Sequence, residues 1–241
     1  MLQRVWDDGK ERPLMNIVFL LFPNLTQLDF TGPLQVLSRL PGARVALAAK
    51  TMAPVETDVV LTLNPTHTFD DCPSADLLCV PGGFGVDDAM CDAETIRFVK
   101  SQAAGAKYVT SVCTGAFILG AAGLLKGKCA TTHWAYHDAL ADVGATPVKA
   151  RVVRDGNIFT GGGVTAGIDF AFTLAAEIAG EEVAKAIQLG LEYDPAPPFD
   201  AGSPEKAPAP VLDIVTKRYG SRFTDFRKAL GAAKSAAETP N

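Results

Sequence analysis

The stretch Lys107-Tyr-Val-Thr-Ser-Val112, followed directly by Cys113-Thr114-Gly115, decides the fold that this sequence predicts. Its first six residues are mostly β-branched or aromatic, which is typical of a buried strand. Residues 116–125 are small and apolar and favour a buried helix. A strand that passes at once into a helix is the repeating unit of an α/β fold, and Cys113 lies at the turn between the two.

Further segments on both sides of this unit repeat the alternation of strand and helix. Strands are predicted for residues 16–22, 44–49 and 76–80, and helices for residues 31–40, 93–104, 134–143, 168–178 and 181–191. Strands that are apolar along their whole length are buried on both faces, as in a parallel sheet. We therefore predict an α/β fold, doubly wound and flavodoxin-like, with a mostly parallel sheet flanked by helices.

Turn signals refine this outline at three places. Thr31-Gly32-Pro33 predicts the start of the first helix, because proline is tolerated in a first helical turn. Residues 54–63 predict an irregular β excursion. Asp155-Gly156-Asn157 predicts the turn of a β-hairpin within residues 152–160.

The domain organisation follows from the distribution of apolar residues and proline. Residues 1–14 are polar and predict a disordered extension, and residues 15–210 predict one catalytic domain. Its last part, residues 194–210, is rich in Pro, Ala and Ser and predicts a wrapping or flexible segment. Residues 211–241 predict a helical tail whose basic side chains face solvent. These side chains, with Arg39 nearby, are Lys217, Arg218, Arg222, Arg227 and Lys228.

Composition excludes several classes of protein. The chain has 241 residues, a mean hydropathy of +0.16 and a net charge of −5, which disfavours a dedicated nucleic-acid binder. No apolar run approaches about 18 residues, so no membrane span is predicted. Its five cysteines have no disulfide-like spacing, which indicates reduced thiols and a cytoplasmic location.

Cys113 is the candidate nucleophile, because a sharp strand-to-helix turn exposes one side chain at the carboxyl edge of a sheet. Such a nucleophile elbow often strains the backbone of the nucleophile. A helix N-terminus would lower the pKa of the thiol, and the following N–H groups could bind an oxyanion. A small, well-packed buried cysteine is an equally good interpretation of the position alone. Among the other cysteines, Cys79 is predicted in the core, Cys129 in a short strand, and Cys72 and Cys91 in loops.

Asp29 is the candidate acid and base. It lies between Leu28 and Phe30, shortly after the first predicted strand, and so at the same edge of the sheet as Cys113. Burial there would raise its pKa and allow it to donate a proton. From the residues alone, a capping or loop aspartate is the more common explanation.

Two other motifs compete with this site. His133 and His137 have the i, i+4 spacing of metal ligands, but no third ligand has a suitable spacing, so no metal is predicted. Gly161-Gly-Gly-Val-Thr-Ala166 fits a dinucleotide-binding pattern. It comes late in the chain and no further strand follows its helix, so we interpret it as a tight loop beside the pocket. No cofactor is predicted.

Several of these segments together resemble the DJ-1/PfpI superfamily over roughly residues 15–210. They are Val80-Pro-Gly-Gly83, Ser111-Val-Cys-Thr-Gly-Ala116, Gly120 to Lys128, Ala130-Thr-Thr-His-Trp134 and Gly161 to Asp169. Within that superfamily they are most similar to the isocyanide hydratases. The superfamily generally carries Glu where this chain has Asp29, and the hydratases carry Asp.

The resemblance implies the role of each site residue. Cys113 is expected to act as nucleophile and Asp29 as general acid and base. Substrate or oxyanion binding is expected from Gly83, Thr114, Gly162 and Val164. Superfamily proteases have His where this chain has Thr114, which argues against a Cys–His protease. The resemblance further implies a homodimer, and the segment from Tyr193 to Phe199 is plausible interface material.

The expected reaction is the cofactor-free hydration of an isocyanide to an N-substituted formamide through a covalent thioimidate. A glyoxalase- or deglycase-like thiol enzyme, a thiol redox sensor and a small-molecule-binding regulator of the same superfamily stay open as alternatives. Many regulators with the same Cys-Thr-Gly motif carry an added DNA-binding domain of roughly a hundred residues. Only about thirty residues follow the Pro-rich segment here, so that part is not expected.

Overall fold

A computed structural model describes residues 14–238 of the chain and is built around one seven-stranded sheet. The strands of the molecule are β1 (Met15–Leu20), β2 (Ala43–Ala49), β3 (Val55–Glu56), β4 (Thr62–Leu63), β5 (His67–Thr68), β6 (Leu77–Val80), β7 (Tyr108–Val112), β8 (Cys129–Ala130), β9 (Thr146–Pro147), β10 (Val152–Asp155) and β11 (Ile158–Gly161). The order in the large sheet is β10-β11-β7-β6-β1-β2-β5, and every pair is parallel except β10 with β11.

Helices flank this sheet. They are α1 (Gln27–Leu37), α2 (Val86–Cys91), α3 (Ala93–Gly105), α4 (Gly115–Ala121), α5 (Ala166–Ala179), α6 (Glu181–Gly190) and α7 (Ala209–Glu238), with a 3₁₀ helix at Trp134–Val143. The predicted fold class is confirmed, as are the hairpin at β10 and β11 and the irregular β3–β4 pair. None of the helices in residues 14–238 is both long and apolar enough to cross a membrane.

The side on which the chain adds new strands to the sheet changes between β1 and β6. The chain passes from β1 to β2 on one side, and β6, β7 and β11 then extend the sheet on the other side. In open α/β sheets, ligands bind at the carboxyl ends of the strands beside such a switch point. The segments that follow β1, β6 and β7 therefore meet at this edge.

The first helix begins four residues earlier than the sequence predicts. It starts at Gln27, after Thr26 as the capping residue, so that Asp29 lies in its first turn and Pro33 lies in its interior. Proline there deprives the carbonyl of Asp29 of its helical donor. The proline ring is accommodated by packing on α5, where a methyl group on Gly167 would come within 3.2 Å of Pro33. Tertiary contact thus outweighs the local preference of proline for a first turn.

The C-terminal helix α7 exposes its basic side chains, as expected, but its other face is buried, which was not predicted from the sequence. Phe226, Leu230 and Ala233 are at most 5% exposed. The ring of Phe226 packs edge-on against Phe117 at 4.7 Å and against Tyr136 at 4.8 Å. Helix α7 therefore forms part of the hydrophobic core. The predicted extension at residues 1–14 lies outside the described residues, apart from Leu14.

Candidate active site

Cys113 occupies a sharp turn between β7 and α4, as the elbow prediction requires. Its φ angle is +56°, a left-handed conformation that costs a residue other than glycine about 1–2 kcal/mol. Backbone hydrogen bonds hold it there: the Cys113 N–H donates to the carbonyls of Gly161 and Gly162 at 3.1 and 2.9 Å. The Thr132 hydroxyl donates to the Cys113 carbonyl at 2.6 Å. The nucleophile is thus fixed by its own main chain.

Two glycines allow the loops around Cys113 to approach so closely. A methyl group on Gly115 would lie 2.3 Å from the carbonyl oxygen of Val80. A methyl group on Gly82 would lie 2.6 Å from the Thr114 nitrogen and 2.8 Å from Oδ2 of Asp29. Because both clashes are with atoms held in place by the fold, no side chain fits at either position.

Asp29 is buried in the first turn of α1, with 1% of its surface exposed. Its Oδ2 accepts a hydrogen bond from the Gly82 N–H at 3.0 Å. Its Oδ1 is buried and receives no N–H or O–H hydrogen bond from the described residues. Burial raises the pKa of this carboxyl to about 7, although the Gly82 N–H and the Cys113 thiol favour its charged form. Near neutral pH the carboxyl can therefore both accept and donate a proton.

The pKa of the Cys113 thiol is raised well above its ordinary value, first by burial and then by the charge of Asp29. The N–H groups of Val164 and Thr114 oppose that rise. The expectation of a lowered thiol pKa is therefore wrong, because it considered the helix terminus and not the loss of solvent. The resting side chain is a thiol, and Asp29 is one of its hydrogen-bond partners.

The predicted binding residues surround the thiol in different ways. The N–H of Gly83 donates to Oγ1 of Thr114 at 3.0 Å, and that hydroxyl donates back to the Gly83 carbonyl at 3.2 Å. Gly162 contacts the cysteine through its carbonyl. Val164 presents its N–H to the thiol from a strained backbone with a φ of +25°. Gly83 thus orients Thr114, and Val164 and Thr114 face the sulfur.

Sequence reasoning missed the residues that close the site on its outer side. A small cavity beside Cys113 is lined by Thr26, Gly83, Phe84, Asp87, Thr114, His133, Tyr136, Val164, Tyr219, Arg222 and Phe226. The last three belong to α7. The spacing of Tyr219, Phe223 and Phe226 at i, i+4 and i+7 is a helical apolar stripe that predicts a buried face.

His133 stands in this wall as a neutral ring. Burial lowers its pKa to about 4, and its Nδ1 accepts a hydrogen bond from the Ala135 N–H at 3.3 Å. His137 lies one turn further along the 3₁₀ helix. Within residues 14–238 no group of three or more His, Cys, Asp or Glu side chains is placed to hold a metal ion.

The other cysteines lie away from this site. Cys79 is buried in β6, where burial raises its pKa to about 12, and Cys129 lies in the short strand β8. Cys72 is half-buried between strands. Cys91 is exposed, and it ends helix α2 rather than lying in the predicted loop.

The chain is similar to known proteins in both sequence and structure. The family model described as the DJ-1/PfpI family matches residues 15–177. The chain is 61% identical over 204 residues to a protein of Pseudomonas putida named isonitrile hydratase, covering 85% of this chain and 90% of that one. A crystal structure of a ThiJ/PfpI family protein from Pseudomonas syringae superposes with a TM-score of 0.87 at 45% identity, covering 91% of this chain and 90% of that chain.

A transcription regulator is a more distant relative. The HTH-type transcriptional regulator GbdR of Pseudomonas aeruginosa is 30% identical over 196 residues, which are 77% of this chain and 52% of the regulator.

Proposed function

The chain belongs to the DJ-1/PfpI family, and on that premise we propose that it is an isocyanide hydratase, a carbon–oxygen hydro-lyase that converts an isocyanide and water into an N-substituted formamide. The identity of 61% to the isonitrile hydratase of Pseudomonas putida supports the choice within the family. The net reaction adds one water molecule and transfers no electrons, so it needs no redox cofactor.

One observation carries the chemistry. A thiol on a strained elbow lies against a buried carboxyl whose pKa is raised to about 7. One proton shared between two such groups provides a nucleophile and an acid in turn. A thiol kept protonated by burial needs a base at the moment of attack, and Oδ1 of Asp29 is the buried oxygen without an N–H or O–H donor.

In the first half-reaction, the sulfur of Cys113 attacks the terminal carbon of R–N≡C while its proton passes to Asp29. Asp29 then gives this proton to the same carbon. The product is the thioimidate R–N=CH–S–Cys113, and Asp29 is a carboxylate again. Forming a covalent intermediate divides one difficult hydration into two easier steps.

In the second half-reaction, Asp29 takes a proton from water as the water oxygen adds to the thioimidate carbon. That proton passes to the nitrogen and gives R–NH–CH(OH)–S–Cys113. The carbon–sulfur bond then breaks, the hydroxyl proton returns through Asp29 to the sulfur, and R–NH–CHO leaves. Every proton is thereby accounted for, and the thiol is restored.

The backbone around the sulfur supports both steps. We assign to the N–H groups of Thr114 and Val164 the stabilisation of charge on the sulfur as it attacks and leaves. Gly83 holds the Thr114 side chain in place, and Gly162 holds the Cys113 main chain. Substrate and water would enter on the side that these groups leave open.

The geometry gives less support to the alternatives. Redox-sensor cysteines are accessible thiols of low pKa, whereas Cys113 is 6% exposed with a raised pKa. Asp29 disfavours a glyoxalase-like activity, because most of the superfamily has Glu at this position. The residues that follow the Pro-rich segment pack as α7 against the site, so they are not available as a DNA-binding module.

Incubation of the purified protein with cyclohexyl isocyanide tests the proposal, with formamide measured by chromatography. We expect formamide at a rate proportional to enzyme and, after rapid acid quenching, a mass increase of one isocyanide on the peptide that contains Cys113. The absence of turnover with any alkyl or aryl isocyanide would overturn it. Consumption of methylglyoxal, or a stable sulfinate after mild peroxide, would then favour the glyoxalase or the sensor.

We also propose a cytoplasmic homodimer with no nucleic-acid or membrane partner. The negative net charge supports the absence of a nucleic-acid partner, and the five free thiols support the location. Phe199, in the predicted interface segment, is 79% exposed, and Val60 at the tip of the β3–β4 hairpin is 98% exposed. Light scattering coupled to gel filtration would give the mass, and Phe199→Asp should weaken the dimer if this segment forms the interface.

A further inference from the structure

The cavity beside Cys113 is too small for the substrates that the proposed reaction would take. It measures about 40 Å³. A water molecule occupies about 30 Å³ of liquid, whereas ligand pockets commonly measure about 300–1,000 Å³. A ring-bearing isocyanide therefore needs part of the wall to move.

The linear geometry of an isocyanide decides which wall that is. When the terminal carbon contacts the sulfur of Cys113, the rigid C≡N unit places the substituent R at its far end, away from the sulfur. The cavity extends from Cys113 towards four aromatic side chains. Phe84 follows β6 and Tyr136 lies in the 3₁₀ helix, whereas Tyr219 and Phe226 belong to α7. An apolar substituent would lie among these rings.

The two halves of α7 differ in how firmly they are held. Phe226 and Leu230 in the second half are 2% and 4% exposed. In the first half, Val211 and Ile214 are 44% and 68% exposed, and Tyr219 is half-buried. Segments with few buried apolar contacts open at the lowest free-energy cost. The first half is thus the part of the wall that can move while the second half stays docked.

The contacts of Tyr219 explain how this half closes over the site. Its ring packs on His133 at 5.1 Å and on Trp134 and Tyr136 at 6.1 Å each. Three residues later, the guanidinium of Arg222 lies 3.7 Å from the centre of the Phe84 ring. Such a cation–π contact is weak enough to open and close during turnover.

A larger groove of about 710 Å³ lies on the far side of His133 and Val164, which line both spaces. Cys113 is not among the residues that line that groove. The direct route for a substituent therefore runs past α7.

We infer that the first half of α7 is a movable wall that selects the isocyanide by the size of its substituent, with Tyr219 as the selecting side chain and Arg222 as its latch. This inference rests on the proposed function. It assigns to the enzyme a substrate class of apolar isocyanides whose substituents lie against Phe84 and Tyr136 and whose size Tyr219 limits.

The first test compares kcat/KM for methyl and cyclohexyl isocyanide. Tyr219→Ala should raise the cyclohexyl-to-methyl ratio by about tenfold, and Tyr219→Trp should lower it by a similar factor. Ile214→Ala is the matched control, since it removes an exposed side chain from the same half of α7 and should leave the ratio unchanged. If the wild type hydrates both substrates and neither Tyr219 variant changes the ratio, the inference is wrong.

The second test does not depend on hydration. The rates at which iodoacetamide and the bulkier N-ethylmaleimide label Cys113 are followed by peptide mass. Tyr219→Ala should raise the maleimide-to-iodoacetamide ratio by about tenfold, and Arg222→Gln should raise it by about two- to fivefold. An unchanged ratio in both variants overturns the movable wall. A wild type that hydrates no isocyanide, yet shows these labelling ratios, refutes the substrate assignment and keeps the wall.

Discussion

Two regions build the site, and they are held in different ways. At the edge of the sheet, the Cys113 N–H donates to the carbonyls of Gly161, in β11, and Gly162, and Asp29 is held by the Gly82 N–H. On the opposite side, α7 is held by side chains, chiefly Phe226 in its aromatic cluster and an ion pair between Arg227 and Asp142. Main-chain bonds fix the reacting atoms, whereas the outer wall depends on side-chain contacts, and the first half of α7 has more exposed side chains than the second. The sheet region is therefore expected to perform the chemistry, and α7 to select the substrate.

The largest effect is expected at the centre of the sheet region. Cys113→Ser should lower turnover of any isocyanide by about 10⁴-fold or more, because the hydroxyl is a far weaker nucleophile beside a carboxylate. Formamide production at saturating isocyanide measures it. Cys72→Ser, a half-buried cysteine away from the site, is the control and should keep full activity. A Cys113→Ser enzyme that retains most of its rate would exclude covalent catalysis.

Asp29→Asn should lower kcat/KM by about 10²- to 10⁴-fold, since the amide can neither take the thiol proton nor return it. In the wild type, kcat/KM should fall as the pH drops through about 7, because Asp29 becomes protonated and can no longer act as the base. This decrease in kcat/KM at low pH should be absent from the residual activity of Asp29→Asn. A wild-type profile that is flat between pH 5 and 8 would contradict the role of the carboxyl.

Phe226→Ala tests whether the helix region is as much a part of the fold as the sheet. Removing a phenylalanine that is 2% exposed should lower the free energy of unfolding by about 3–5 kcal/mol. Urea titration followed by circular dichroism measures this. An unchanged unfolding midpoint would mean that α7 does not contribute to the stability of the domain.

The smallest effect is expected where α7 is held by charge. Arg227 donates to Asp142 at 2.9 Å, and both side chains are more than two-fifths exposed. Exposed ion pairs contribute about 0.2–1 kcal/mol. Arg227→Gln should therefore shift the urea midpoint slightly, and 1 M NaCl should remove most of the difference between the two proteins. A loss comparable to that of Phe226→Ala would show that charge, and not packing, docks the helix.

The sequence predicted the sheet region well because its signals are local. Apolar strands, the turn at Cys113 and the nearby glycines lie within short windows, and the parallel order brings Asp29 to the same edge. The start of α1 was wrong because the packing of Pro33 on α5 depends on a residue far along the chain. The predicted decrease in the pKa of the Cys113 thiol was wrong for a similar reason, because several segments together bury the sulfur.

The helix region was harder to predict because two patterns overlap in it. Its basic residues, such as Lys217 and Lys228, indicate a solvated helix, and they obscure the apolar stripe of Tyr219, Phe223 and Phe226. Even with that stripe recognised, nothing in the local sequence identifies the surface it covers. Which side of the sheet a helix packs on is decided by the rest of the fold.

The position of α7 in the chain has a consequence for protein synthesis. Cys113 leaves the ribosome about a hundred residues ahead of Tyr219 and Phe226, so at roughly 5–20 residues per second the thiol is without its outer wall for about 5–20 s. A nascent or partly refolded chain thus exposes to oxidants a cysteine that is only 6% exposed in the finished protein. The fraction of enzyme already inactivated by oxidation should therefore depend on how fast the chain is made, and reductant during refolding should recover activity.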